Sequence, residues 1–246
     1  MGGRSLAAPS WVFPGSIEEN CAFLAGKVQE VGLLFFESSS ARAYGPGELP
    51  PVLAGLPLTW HVHLPSDLTW DDVRKTADIC LKLMDKLDFI GVKRAVLHPP
   101  ARTEVKDKAF VALLTRLVLY WNNSGRDSRD ILLENLPERG PKELLDAARA
   151  CGTSLCLDLA HYLMAGGRPG SLPGGFMERV RLLHLCAPGP GEAKGHHHPL
   201  TDLDEDGWKT GREICRAAGP EAVFMLELFD WKDFINSLPV LKAWME

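Results

Sequence analysis

Seven short apolar runs of this chain each lead into a histidine, an aspartate or a glutamate. In chain order they are FFE ending at Glu37, WHVH with His61 and His63, AVLH with His98, LLEN with Glu134, LCLDLAH with Asp158 and His161, LLHL with His184, and FMLEL with Glu227. An eighth run, WVFP near Trp11, carries no such residue. A charged group at the end of a buried strand is costly unless something compensates it. Ion pairs with arginine would be one compensation, but no Arg or Lys recurs at a regular inward phase. A shared metal centre is the other, and histidine with carboxylate is a suitable donor set for one.

Strand phase narrows the set, because residues i and i+2 face the same side. Glu134 shares phase with Leu132, Asp158 with Cys156, His184 with Leu182, and Glu227 with Met225. These four point inward together and suit Zn²⁺ or Mn²⁺ better than Ca²⁺ or Mg²⁺. His161 breaks the phase and belongs to the loop beyond its strand. His63, His98, His161 and the triplet His196-His197-His198 exceed what one ion can use, so two or three divalent ions are expected. Ions roughly 3.5–4 Å apart stabilise the attacking and leaving oxygens of a phosphoester and generate hydroxide near neutral pH. A single four-ligand ion supports different chemistry: Glu134 and Glu227 flank a substrate carbon and exchange a proton on either face.

Such a cluster needs parallel strands that all end at one rim. The runs are short, apolar and separated by helical patterns, which indicates a parallel sheet buried on both faces. Ser16-Ile17-Glu18-Glu19 is a capping box opening a helix through Glu30. Thr69 and Asp72 open another, and a third is expected from Glu104 to Asn122. Pro141 and Gly152 bracket a fourth, Asp204 to Ala218 forms a fifth, and Asp230 caps the last. The expected fold is a single-domain (β/α)8 TIM barrel over residues 11–246, after a disordered leader over residues 1–10. An open doubly wound sheet would favour a Gly-rich phosphate loop after its first strand, and Pro14-Gly15-Ser16 is not one. The Gly/Pro-rich stretches 166–175 and 188–195 are read as loops over the mouth of the barrel.

The 246 residues and 46% apolar content suffice for one full core. No run approaches the ~18 apolar residues of a membrane span, and the first ten residues lack a secretory apolar segment. A cytoplasmic location is therefore expected. The six cysteines form no CxxC pair and read as buried thiols, with Cys156 and Cys186 beneath the site. The net charge of −5 and the scattered basic residues argue against nucleic acid and towards a small-molecule substrate.

The ordered set VHLP, VLHPP, LLEN, DLAH, LHLCAP, HHHPL and Glu227 resembles the xylose-isomerase-like barrel superfamily, which includes sugar isomerases, epimerases and the endonuclease IV group of phosphodiesterases. By resemblance to the endonuclease branch, His63, His98 and Glu134 would hold one ion, and Glu134, Asp158, His184 and Glu227 a second. His161 would hold a third with an Asp-x-His motif, but the segment here reads Lys194-Gly195-His196-His197-His198-Pro199 and has no aspartate. His196 would stand in for the carboxylate and His197 or His198 for the imidazole. Two stretches, WVFPGSIEENCAFLAGKVQEVGLLFFES and LPLTWHVHLP, look like the cobamide-remodelling phosphodiesterases of this superfamily. The resemblance implies a metal-dependent hydrolase of the nucleotide-loop phosphodiester of a cobamide. The alternative is a metal-dependent sugar isomerase or epimerase.

Four further residues are candidates for substrate contact: Glu37, His61, His196 and His198. Glu37 either orients substrate or pairs with Arg42 at the surface. His61 shares a phase with His63, and the latter, nearer the rim, is the ligand. For each of His196, His197 and His198 a solvated loop position is the competing reading; His197 is assigned as a ligand. Trp60 and Trp121 are read as core.

Overall fold

The computed structural model describes residues 4–189 and 197–246. Eight parallel strands close into a barrel in chain order. They are β1 (Leu6–Pro9), β2 (Glu30–Leu34), β3 (Thr59–His63), β4 (Arg94–Leu97), β5 (Ile131–Glu134), β6 (Ser154–Asp158), β7 (Val180–Leu185) and β8 (Val223–Leu226). The helices are α1 (Ile17–Leu24), α2 (Ser38–Ala43), α3 (Val73–Leu87), α4 (Asp107–Asn123), α5 (Pro141–Cys151), α6 (Leu159–Met164), α7 (Glu205–Ala217) and α8 (Trp231–Met245). The expected (β/α)8 barrel is the observed one. No helix among the described residues is long and apolar enough to cross a membrane.

Local chemistry explains most element boundaries. The Ser16 hydroxyl accepts from Glu19 N while Glu19 Oε2 accepts from Ser16 N, so the capping box is complete. That helix ends at Leu24 rather than Glu30, because residue 30 already belongs to β2. Asp72 and Asp204 cap α3 and α7 through the amides of Lys75 and Gly207. Pro141 opens α5 and Gly152, at φ 75°, closes it in the left-handed region that favours glycine. Asp230 caps α8.

Two expectations are corrected. The first strand is Leu6–Pro9, not the WVFP run, which follows it. Residues 6–10 are buried and thus form no leader; Ala7 and Ala8 are small enough to sit between β2 and β8 without crowding the barrel interior. The stretch 166–175 runs between α6 and β7, not over the mouth. Since α6 stops after six residues, the chain descends the outside of the barrel as irregular structure. There it is held by Arg149 on Gly174 O and by Glu213, which accepts from Gly170 N. Most of the stretch 188–195 lies outside the described residues.

Outward side chains such as Leu133, Leu157 and Phe224 pack under the helices with Trp121 and Trp244. Inward, Leu132, Cys156, Leu182 and Met225 fill the barrel axis. Below them the interior is charged. Glu30 at the start of β2 accepts two bonds from Arg94 of β4, at 2.8 and 2.6 Å, and contacts His61 Nδ1 of β3 at 2.6 Å.

Candidate metal centre

The C-terminal ends of β3 to β8 bring six residues to one place: His63, His98, Glu134, Asp158, His184 and Glu227. One ligand atom from each of Glu134, Asp158, His184 and Glu227 lies within 4.8 Å of the other three, and all four residues are buried. The strand register sets this directly, since Asp158 pairs with His184 and His184 with Met225, two residues before Glu227. A second grouping, His63, His98 and Glu134, meets the same distance test, and so does a third, Cys186, His197 and Glu227. Glu134 belongs to two of these groupings and Glu227 to two.

The contacts centre on Glu134. Its Oε2 lies 3.2 Å from His63 Nε2 and 3.3 Å from His98 Nε2. Its Oε1 lies 3.3 Å from His184 Nδ1 and 3.6 Å from His161 Nδ1. His184 Nδ1 also stands 3.1 Å from Glu227 Oε2. The tautomers of two histidines follow from backbone partners, because a carbonyl can only accept. His63 Nδ1 faces Leu64 O at 2.8 Å and His161 Nδ1 faces Asn135 O at 2.9 Å. Both therefore carry a proton on Nδ1, which makes Nε2 the atom that would bind a metal once the ring loses its second proton. Asn135 also ties the ends of β5 and β6 together, donating to Asp158 O at 3.0 Å and accepting from Asp158 N at 2.8 Å.

Electrostatics show what a cation would replace. Burial would raise the Glu134 pKa, but His184 and His98 outweigh burial and hold it well below the usual range. Glu227 is held at about 2 for the same reason, with His184 again the main opposing partner. Burial lifts Asp158 to about 6. Burial alone would lower the histidine values, yet Cys156 and the Glu227 and Glu134 carboxylates push His184 well above its ordinary value. His63 is raised chiefly by Glu134, and His161 by Asp158, each against its own burial. Protons on histidine supply the positive charge that three buried carboxylates demand. The second carboxylate oxygen of Asp158 is buried with no hydrogen-bond partner among the described residues. Carboxylates, imidazoles and this orphaned oxygen together fit a divalent transition-metal ion.

Above this floor lies a pocket of about 190 Å³ lined by His63, His98, Glu134, His161, His197 and Glu227 and walled by Phe36 and Phe229. The His197 ring packs on Phe229 at 4.4 Å, and its Nδ1 lies 3.7 Å from Glu227 Oε2. Asp158 and His184, both fully buried, sit beneath the opening.

Three of the four proposed substrate contacts are placed elsewhere, and His196 lies outside the described residues. Glu37 is exposed, accepts from the Ser40 hydroxyl at 3.3 Å and does not line the pocket. It comes three residues after β2 ends, so the strand cannot aim it inward. His61 is 1% exposed and lies one inward step below His63, with its ring over Gly32. Burial keeps it neutral, with Glu30 pulling the other way. His198 pairs its backbone with Ala187 and turns its ring towards Asp202 at 3.6 Å. Sequence reasoning missed Asn135, although LLEN contains it, and missed the Phe36–Phe229 wall. It also missed the inward pair Glu30–Arg94, whose signal was two opposite charges at the starts of alternate strands.

No known protein family matches the chain, and no curated protein matches it. Solved structures do. A D-tagatose 3-epimerase-like protein aligns with TM-score 0.69 at 17% identity over 98% of this chain and 97% of its own. An AP endonuclease, family 2, from Brucella melitensis aligns with TM-score 0.67 at 15% identity, covering 92% and 93%. An L-ribulose 3-epimerase aligns with TM-score 0.65 at 15% identity, covering 98% and 86%. At these identities the likeness establishes the fold, and it spans essentially the whole barrel.

Proposed function

We propose that this chain is a metal-dependent isomerase or epimerase acting on a small polyhydroxylated carbon skeleton. The observation that carries the reading is the convergence of Glu134, Asp158, His184 and Glu227 within 4.8 Å, with both glutamates also reaching the open pocket above. The four would hold one divalent ion, which would polarise a substrate carbonyl or hydroxyl and so acidify the neighbouring carbon. Glu134 and Glu227 both approach His184 Nδ1, at 3.3 and 3.1 Å. Both are ionised at neutral pH, as a base requires. Either could take the proton from carbon; the other would have to gain a proton from solvent before it could deliver one to the opposite face. His63, His98 and His161 line the same pocket and would position hydroxyls. The epimerase neighbours make D-tagatose and L-ribulose the first substrates to try.

A second reading is favoured by one observation. His63 and His98 both approach Glu134 Oε2, which is more imidazole than a four-ligand site needs. With two or three ions, Zn²⁺ or Mn²⁺, the site would suit hydrolysis of a phosphodiester, Glu134 lying between two ion positions. The cobamide nucleotide loop is the candidate substrate suggested by the sequence resemblance.

Metal counting with a proton-exchange assay separates the two. The expected result is one ion per chain and deuterium uptake from D₂O into D-tagatose or L-ribulose, both retained in His98→Ala. Two or three ions, a loss of metal in His98→Ala and cleavage of bis(4-nitrophenyl) phosphate would replace the first reading with the second.

A further inference from the structure

The pocket over the metal centre holds about 190 Å³, yet a groove of about 1280 Å³ opens from its side. The two share Ser66, His98 and His161 as lining, so a molecule with one end among the glutamates can continue into the groove. A free monosaccharide fills the small pocket and leaves the groove empty. The groove lies between the loops that follow β3, β4 and β5 and the first turns of α4.

Its wall is built. Arg139 is 0% exposed, and its guanidinium donates to Pro100 O at 2.9 Å, to Val105 O at 2.5 Å and to Asp107 Oδ1 at 3.1 Å while stacking over Phe110 at 4.6 Å. Pro100 and Val105 both face the groove, so one buried cation fixes the loop that shapes it. Pro65, Pro99 and Pro137 stiffen the remaining edges. Trp70, 4% exposed, contributes to the lining, and its indole N–H has no acceptor among the described residues. Rigid apolar walls with an aromatic side suit ring-bearing groups.

Charge sets the other requirement. Away from the end shared with the metal centre, where His98 and His161 stand, four acidic residues, Asp67, Asp71, Glu104 and Glu138, line the groove against the single base Lys106. Neither Glu104 nor Glu138 has an ion-pair partner among the described residues. An anionic occupant would be repelled, which removes a nucleic-acid strand as well as a polyphosphate tail.

We propose that this groove binds the non-reacting part of the substrate, a bulky ring-bearing group that carries no negative charge. The inference rests on the reading that the glutamate pocket holds the reacting atoms. It implies that a reacting group attached to such a ring system is turned over faster than the free sugar.

The test uses two fluorescent probes with the same fused-ring and phenyl skeleton, neutral N-phenyl-1-naphthylamine and anionic 8-anilinonaphthalene-1-sulfonate, added to the full chain without metal. The neutral probe is expected to bind about tenfold more tightly than the sulfonate. Ala109→Trp, on the exposed face of α4 that lines the groove, is expected to weaken the neutral probe by about tenfold. The pair Glu104→Lys and Glu138→Lys should raise sulfonate affinity and leave the neutral probe unchanged. Equal affinity for the two probes, or no effect of Ala109→Trp, overturns the proposal. With Mn²⁺ bound, the proton resonances of the neutral probe should broaden, as a groove sharing His98 and His161 with the centre requires. Sharp resonances beside bound Mn²⁺ overturn it too. If the chain takes up no Mn²⁺, the metal-centre reading fails while the probe contrast still decides the groove.

Discussion

At the scale of single residues, the site is a set of carboxylates held ionised by histidines that keep their protons. The raised values of His63, His161 and His184 mean that the folded chain binds these protons more tightly than the unfolded one. The stability this contributes is complete below the ordinary histidine value of 6.5 and is lost as pH rises through the folded values. Glu134 and Glu227 shift the other way, so their contribution is present above 4.5 and constant at neutral pH. His61 and His197, both lowered chiefly by burial, act below 6.5 and not above it. The urea midpoint of the metal-free chain should therefore fall between about pH 7 and about pH 8.5. With zinc bound the trend should reverse, because binding requires the imidazoles to be neutral. Denaturation at several pH values, with and without chelator, checks both. A metal-free midpoint that rises over this interval would contradict the assignment.

At the scale of elements, each strand from β3 to β8 delivers one inward residue to the site at its C-terminal end and another to a supporting layer beneath it. In β2 and β3 that layer is Gly32 against His61, paired in register. A Cβ at Gly32 would stand 2.6 Å from His61 Nε2 and 3.0 Å from Met225 Sδ. The missing side chain is the space the imidazole occupies, and Glu30 with Arg94 keeps the ring there. Gly32→Ala should destabilise the fold by about 1–3 kcal/mol through overpacking. In Gly32→Ala with His61→Ala the two effects should be less than additive, since one substitution vacates what the other crowds. Chemical denaturation of the three variants measures the coupling; strict additivity would mean that the two positions do not compete for space.

At the scale of the whole molecule, closure of the barrel matters more than any one contact. β1 bonds to β2 on one side and β8 on the other, so four residues join the two halves of the sheet. Removing residues 1–9 should expose the edges of β2 and β8 and abolish cooperative unfolding, read by circular dichroism and fluorescence in parallel. A truncated chain with an unchanged, coincident transition would show that the barrel does not need this strand. The same closure gathers the ends of distant strands, and it explains why Glu134 and Glu227, 93 residues apart in sequence (227 − 134), share His184.

The alternation of apolar runs with helical patterns, the caps at Ser16, Asp72, Asp204 and Asp230, and the inward phase of Glu134, Asp158, His184 and Glu227 were legible in the sequence. Each depends on local chemistry or on a period of two along one strand. What one strand cannot reveal is the level at which its residues stand in a closed barrel. His61 and His63 share a phase, and only the register between strands puts one under the site and the other on its rim. Glu37 and His198 were misplaced because each lies beyond a strand end, where the backbone turns and phase no longer applies. The first strand was missed because LAAP is short and small-sided, and its role is to fit between two neighbours that the linear chain places far away. The groove beside the centre is assembled from three loops and fixed by Arg139, so its shape and charge arise only once the folded chain brings those segments together.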